Sequence, residues 1–513
     1  MDGTRREFLA DVGRGMLIAS LGPALVSDLG LSHALAEGGP EGLTFGELEP
    51  LVVLMQETPL EALLPLLVQR LNQGTSLRTL VAAGALANAR TFGGQDYTGY
   101  HSLMALAPAY EMSRELPEHQ RALPVLKVLY RNSTRIQEQG GRENEVLHLV
   151  EAASLPTEIR KGEALRDATR SADMDRAERT FAALAKGPSG EAFNHLLWAV
   201  QDEIDVHRVV LAWRAWSLLD LAGQEQAHTL LRQSVRYCVD AERGRIERNR
   251  PEPEVRAVLP KLLDEHHLLG RALGDYRPDD GRIERLSETI YGGGREAAAE
   301  AVAAALAEGM APEAIGEAIS LASNQLVLRD PGRLQDEEGK PKGSVHGASV
   351  GVHASDSANA WRNIARVSDS RNTVSSLIVG AYHTAGQNRG QHGEPYPMAE
   401  HLESISSTDP AKMLRATERA VVEKDQARAC ALVHRYGELG HEARPVFDLL
   451  LMFAVSEDGA LHAEKYYRTV TEEFAATRPA FRWRHVAALA RVTASEYGYP
   501  APGYEEARRL LKV

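Results

Sequence analysis

The sequence predicts an all-α protein made of two duplicated helical halves. Beyond residue 45, Ala, Leu, Glu and Arg dominate, apolar residues recur at helical spacing, and alternating β-branched segments are scarce. The apolar runs over 54–70 and 297–307 are each followed by a glycine, Gly74 and Gly309, which is typical of a left-handed helix cap. These two segments also resemble each other, which indicates an internal repeat.

Residues 1–36 have the pattern of a removable export signal. The sequence TRREFL at residues 4–9 precedes an uncharged stretch over 15–27 and a small-residue sequence that ends at Ala36. The arginine pair followed by an apolar pair resembles the twin-arginine (Tat) signal of bacteria and archaea, although Ala10 stands where a basic residue is often found. The resemblance implies that the Tat translocase exports the folded chain to the periplasm or the extracellular space. The alternative, an amphipathic first helix, is disfavoured by the glycines in this stretch.

The duplication emerges when Gly74 is aligned with Gly309. With small insertions in the second half, the alignment pairs four further positions: His101 with His346, Glu111 with Asp356, His207 with His462, and His228 with His485. We interpret the halves as related by a pseudo-twofold axis. Chance similarity between helices rich in Ala and Leu is the alternative.

The alignment divides the chain into four segments. After the signal at 1–36, the first helical half covers 45–247 and the second covers 289–513. Between them lies a connecting segment, 248–288, which is rich in Pro, Arg and Asp.

Composition excludes several kinds of partner and site. The net charge of −13 and the lack of a clustered basic face argue against a nucleic-acid partner. Only two cysteines, Cys238 and Cys430, are present, so a disulfide framework and cysteine-based metal sites are not expected. No apolar run of about 18 residues follows the signal, so no further membrane span is predicted.

The paired histidines are the candidate metal ligands. Neutral imidazole is the commonest metal ligand in proteins, and three imidazoles suit iron, copper or zinc. Six paired histidines fit either two three-histidine sites or one pair of metals at the junction of the halves: His101, His207, His228, His346, His462 and His485. A single histidine on a helix is more often a core or surface residue, so the pairing carries this hypothesis.

The segment 344–356, SVHGASVGVHASD, is the most unusual in the chain. Its small residues suit close helix packing, and His346, His353 and Asp356 recur at steps of seven and three along one helical face. We expect His353 and Asp356 to orient ligands or move protons, and Glu111, which is paired with Asp356, to share that role. A buried polar row that only ties helices together is the alternative.

The histidines at 346 and 353 also carry a family resemblance. The helix they predict is similar to one in the questin oxidase-like family, all-helical proteins associated with oxidative ring cleavage of aromatic polyketides. The threonine expected between the histidines is absent here. The resemblance implies an oxidative reaction.

The leading hypothesis from the sequence is an exported metal-dependent oxidoreductase acting on a small molecule. Histidines of both halves would hold iron or copper, in preference to zinc. The alternative is a non-catalytic α-helical repeat protein whose concave surface binds a peptide or a protein. The two differ in one geometric expectation, because only the first requires the imidazoles to meet.

Overall fold

The computed structural model describes residues 42–155, 160–337, 340–389 and 393–513. Within these ranges the chain forms 23 α-helices and no strand, so the predicted all-α class is confirmed. The predicted export signal lies outside the described residues. No helix in the described part of the chain is both long and apolar enough to cross a lipid bilayer.

Two series of helices, ten in the first half and twelve in the second, make up most of the molecule. The first series comprises α1 (Glu49–Glu57), α2 (Leu60–Asn72), α3 (Leu77–Phe92), α4 (Tyr97–Glu115), α5 (Ala122–Glu138), α6 (Lys161–Arg170), α7 (Met174–Leu184), α8 (Ser189–Val200), α9 (Val206–Ala222) and α10 (Ala227–Glu247). The connecting segment carries α11 (Val255–Glu265). The second half comprises α12 (Asp280–Gly292), α13 (Arg295–Ala307), α14 (Pro312–Leu328), α15 (Val350–Val367), α16 (Ser370–Gln387), α17 (Ala399–Glu403), α18 (Pro410–Val422), α19 (Gln426–Glu438), α20 (Arg444–Ser456), α21 (His462–Ala476), α22 (Trp483–Glu496) and α23 (Tyr504–Leu511).

Packing pairs recur between the two series. Helix α3 packs against α4 and α5 as α14 packs against α15 and α16, and α10 packs against α7 and α9 as α22 packs against α19 and α21. Helices α17 and α23 have no counterpart in the first series. This correspondence is what an internal duplication would produce, and the duplication itself stays a hypothesis.

Four helices, α4, α9, α15 and α21, form the centre of the molecule. Helix α4 packs against α9 and α21, and α15 packs against the same two helices. Each half contributes two of the four, and α9 and α21 each contact a central helix of the other half. The halves therefore interlock instead of meeting at a single flat face.

Local sequence signals fix where three of these helices begin. The side chains of Asp96, Asp205 and Ser349 accept hydrogen bonds from the backbone N–H groups three residues later, at 2.7, 2.8 and 3.3 Å. These are N-caps, which satisfy amide groups that have no partner inside the helix. The fourth helix, α21, begins at His462, directly after Leu461 in a left-handed conformation with φ 66°.

Glycines let the central helices approach their neighbours. A Cβ added to Gly351 of α15 would lie 2.7 Å from the backbone nitrogen of Val327 in α14, closer than packing allows. Gly99 of α4 lies in the same way against the ring of Phe92 in α3. Each glycine stands two residues before a histidine, so the close approach also positions that histidine.

A buried ion pair crosses between the halves. The Lys127 ammonium of α5 lies 2.6 Å from a Glu464 carboxylate oxygen of α21, and both side chains are fully buried. Lys127 also donates to the carbonyl of Ala454 at 2.9 Å. Both cysteines, Cys238 and Cys430, are buried free thiols.

Candidate metal centre

Four histidines meet where the N-terminal ends of the four central helices come together. His101 lies on α4, His207 on α9, His353 on α15 and His462 on α21. The ring centroids are 4.9 Å apart for His101 and His207, 5.1 Å for His101 and His462, 5.0 Å for His353 and His462, and 5.5 Å for His207 and His353. We call these four residues the histidine cluster.

Backbone hydrogen bonds determine the tautomer of three of these imidazoles. The Nδ1 atoms of His101, His353 and His462 lie 2.7, 3.1 and 3.1 Å from carbonyl oxygens, those of Tyr97, Ser349 and Ala460 respectively. A carbonyl oxygen only accepts hydrogen bonds, so each Nδ1 carries the proton. The Nε2 atoms are left as bare lone pairs, which is the form that binds metals.

The three bare nitrogens converge on one point. One potential ligand atom from each of His101, His353 and His462 lies within 4.8 Å of the others. Nε2 of His353 is 3.3 Å from Nε2 of His462, and Nε2 of His101 is buried without a hydrogen-bond partner. Lone pairs facing each other in a buried site repel, and a bound cation would remove that repulsion.

Protonation of these imidazoles does not supply that cation near pH 7. Burial, followed by the nearby Lys465 ammonium, lowers the pKa of His101 to about 2. The same two causes hold the pKa of His462 well below its usual value. The imidazoles are therefore neutral near pH 7, and their lone pairs are available to a metal ion.

His207 differs from the other three in its surroundings. Its Nε2 is also buried and unpartnered, but its Nδ1 faces a carboxylate oxygen of Asp205 at 4.0 Å. That same oxygen accepts hydrogen bonds from the Tyr237 hydroxyl at 2.7 Å and from the Arg208 amide at 2.8 Å. Burial lowers the pKa of His207 to about 4, although Asp205 opposes the shift.

Two buried charged residues stand one helical turn beyond the cluster. Asp356 follows His353 by three residues and accepts a hydrogen bond from the Thr469 hydroxyl at 2.8 Å. Lys465 follows His462 by three residues, and burial lowers its pKa to about 8. Burial raises the pKa of Asp356, while Lys465 opposes that shift.

The role expected of Asp356, to orient ligands or to move protons, stays a prediction. Nδ1 of His353 is bonded to the Ser349 carbonyl, so a backbone group and not the Asp356 carboxylate fixes this imidazole. Glu111, which was expected to share that role, pairs with Arg114 at 3.1 Å on the outer part of α4.

Three of the six paired histidines do not belong to the cluster. His346 precedes α15, where Arg333 and Lys340 are its main charged neighbours. His228 stacks on Phe181 with ring centroids 6.0 Å apart. His485 is buried, with its Nε2 3.5 Å from the Thr477 hydroxyl.

His353 takes the place that the sequence alignment gave to His346. His353 and His101 each bond the carbonyl four residues earlier and each follow a glycine by two residues. The shared pattern Gly-x-His, at 99–101 and 351–353, is the sequence signal that would have found the match. His101 and His353 are as far apart in the sequence as Tyr130 of α5 and Tyr382 of α16, so one offset aligns both pairs.

A cleft of about 950 Å³ reaches one side of the cluster. His207 and His353 both line it. The other walls come from the start of α9, the end of α10, the connecting segment and α16, and include Tyr237, Tyr382 and His383. The central cleft therefore connects two of the four imidazoles to a space large enough for a small molecule.

Comparison of the chain with known protein families, with characterised proteins and with solved structures found no match. The resemblance of the segment around His346 and His353 to the questin oxidase-like family stays a hypothesis.

Proposed function

We propose that this protein is an exported metal-dependent oxidoreductase whose metal ion is held by Nε2 of His101, His353 and His462. The observation that supports this most is the convergence of three bare, buried lone pairs whose tautomers are fixed by backbone carbonyls. Leaving such acceptors unsatisfied is costly, so a site built this way favours a cation.

One of the three proposed ligands, His353, lines the central cleft, so the cleft is the side from which a substrate would reach the metal. Three protein ligands with a remaining open position are typical of catalytic metal sites, whereas structural sites are closed. His207 stands beside that position, where it is either a fourth ligand or a contact of the bound substrate. The Asp205 carboxylate lies 4.0 Å from Nδ1 of His207, beyond hydrogen-bond distance, and is itself held by the Tyr237 hydroxyl.

The metal we propose is iron or copper. An all-nitrogen set of neutral imidazoles suits both, and it also suits zinc. We favour the redox-active metals because of the family resemblance around His353 and because many Tat substrates acquire a cofactor before export. Such a metal would supply electron transfer or oxygen activation at a site shielded from bulk water by the four helices.

The alternative function, a non-catalytic helical repeat protein, expects the histidines to lie apart. Four of the histidines lie within 5.5 Å of a neighbour, ring centre to ring centre. This geometry favours the metal proposal.

Metal content of the purified protein tests the proposal. We expect about one iron or copper per chain by mass spectrometry of the metal, and its loss to background in His101→Ala, His353→Ala and His462→Ala. His228→Ala is the matched control, because it removes a largely buried imidazole outside the cluster. Circular dichroism would establish that each variant is folded.

Two results would overturn it. Metal that remains stoichiometric in folded His353→Ala and His462→Ala protein removes the proposed site. Zinc as the only metal bound, after growth with iron and copper supplied, removes the oxidoreductase assignment.

The export proposal rests on the first residues of the sequence and has its own test. Replacement of the Arg5–Arg6 pair by lysines is expected to retain the protein in the cytoplasm, because the Tat motif is recognised through this pair. Fractionation of the producing bacteria would measure this, and unchanged export of the variant would contradict it.

A further inference from the structure

We infer that the central cleft binds a small organic molecule that carries an anionic group, and that Arg295 and His383 recognise that group. The inference rests on the proposed function in one respect, which is that the bound molecule is called the substrate. The binding itself is a separate property of the cleft and is tested separately.

His383 offers a hydrogen-bond donor to the cleft. The indole N–H of Trp361 donates to Nδ1 of His383 at 3.2 Å, deep in the contact between α15 and α16. Indole nitrogen only donates, so Nδ1 of His383 is the bare nitrogen and the ring proton is on Nε2. His383 therefore presents an N–H group, which suits a carboxylate or phosphate oxygen and does not suit another donor.

Arg295 is held next to His383 at the start of α13. Its guanidinium carbon lies 5.7 Å from the centroid of the Tyr382 ring. The Arg295 side chain also lies against Gly386, and a Cβ added to that glycine would collide with it. Tyr382, His383 and Gly386 are neighbours on α16, and all of them line the cleft together with Arg295. No carboxylate forms an ion pair with Arg295 among the described residues; its guanidinium interacts with the Tyr382 side chain, whose hydroxyl donates to Glu254.

The charges of the cleft leave a positive excess. Four carboxylates line it: Glu203 pairs with Arg208 at 2.8 Å, Glu252 is the second, and Asp205 and Glu254 keep their charge because they accept hydrogen bonds from the neutral hydroxyls of Tyr237 and Tyr382. Five arginines line the cleft against these four carboxylates, which is a formal excess of one positive charge: Arg245, Arg248, Arg250, Arg295 and Arg389. A cleft with this balance attracts an anionic ligand.

The position of these groups also orients the ligand. His207 and His353 line the same cleft as Arg295 and His383. An anionic group held by Arg295 and His383 leaves the rest of the molecule free to extend towards the histidine cluster. Anchoring a substrate through a remote charged group is a common way to hold the reacting part in place.

Equilibrium dialysis of fluorinated probes would test this inference. The probes are 4-fluorobenzoate, 4-fluorophenyl phosphate and the neutral 4-fluorobenzyl alcohol, measured by fluorine NMR of the dialysate. We expect at least one anion to bind the protein as purified and the alcohol not to bind. Arg295→Gln is expected to weaken binding about tenfold, as loss of a charge-assisted hydrogen bond does. Arg271→Gln, at an exposed arginine that does not line the cleft, is the matched control and should bind normally.

The outcomes separate this inference from the metal proposal. Binding of neither anion, equal binding of the alcohol, or unchanged binding by Arg295→Gln overturns it. Loss of binding in His462→Ala but not in Arg295→Gln would mean that the anion is a metal ligand, which also overturns it. Normal binding in His462→Ala supports the inference whatever the metal content proves to be.

Discussion

The chemistry of the histidine cluster depends on which nitrogen of each imidazole carries the proton. Three backbone carbonyls take the Nδ1 protons and so turn three Nε2 lone pairs towards one point. This arrangement needs no change in the protonation of any side chain, because the carbonyl oxygens only accept hydrogen bonds. The folded chain therefore holds these three imidazoles in one place, as the proposed metal site requires.

Buried histidines outside the cluster make a pH prediction possible. Burial lowers the pKa of His485 to about 4, whereas a histidine in the unfolded chain has a pKa of about 6.5. Between these values the unfolded chain takes up a proton that the folded chain does not, so the free energy of unfolding falls as pH falls from about 6.5 to about 4. The slope is at most about 1.4 kcal/mol per pH unit for each such histidine.

Urea unfolding at several pH values measures this slope. We expect His485→Gln to make the pH dependence shallower by up to one proton, whatever its effect on stability at pH 7. His119→Gln, at an exposed position, is the control. An identical slope in wild type and His485→Gln would contradict the prediction.

The central helices carry their histidines close to their N-terminal ends, so small displacements of a helix move the ligands. Helix α15 packs closely on α14, because Gly351 lies directly against the α14 backbone. The N-cap Ser349 also supplies the carbonyl that orients His353. The start of this helix therefore determines both the packing against α14 and the orientation of His353.

Gly351→Ala should disturb both the packing of α15 on α14 and the orientation of His353. The added methyl group would lie 2.7 Å from the Val327 backbone nitrogen, and relief requires α15 to move away from α14. We expect a loss of about 1–3 kcal/mol in the free energy of unfolding, as in other overpacked cores, and a lower metal content. Denaturant titration and metal analysis measure the two effects.

Gly190→Ala is the control for this substitution. No atom lies within 4 Å of the position that its Cβ would take, and Gly190 is in α8, away from the cluster. Alanine there should be neutral or stabilising by about 0.5–1 kcal/mol, because it has less unfolded-state entropy. Equal effects of the two substitutions would show that close packing at Gly351 is unimportant.

At the scale of the whole molecule, neither half contains the candidate site alone. His101 and His207 come from the first half, and His353 and His462 come from the second. The buried pair of Lys127 and Glu464 joins the same two halves near α21. Assembly of the site therefore depends on the halves being interlocked.

Removal of one partner of that pair should be strongly destabilising. Lys127→Met leaves the Glu464 carboxylate buried without its cation, which costs about 3–5 kcal/mol in comparable cases. Replacing both residues, as Lys127→Met with Glu464→Leu, should recover most of this loss because no lone charge remains. Urea unfolding of the two single variants and the double variant measures the coupling, and additive losses would contradict it.

Much of the fold and part of the site follow from the sequence alone. The helical class could be predicted because helical periodicity is a local property of each segment. His101, His207 and His462 were among the candidate ligands, and the structure brings them together. The fourth imidazole of the cluster belongs to His353 and not to His346: seven residues separate the two, which is nearly two turns of helix, so both fall on the same face of any helical pattern.

What only the tertiary structure decided is which histidines meet. Helix α15 begins after Ser349, which leaves His346 outside the helix and puts His353 in its first turns. The packing of α4, α9, α15 and α21 then brings four imidazoles together and leaves His228 and His485 elsewhere. Periodicity specifies the face on which a side chain lies, whereas contacts between distant helices depend on packing along the whole chain, which no local pattern encodes.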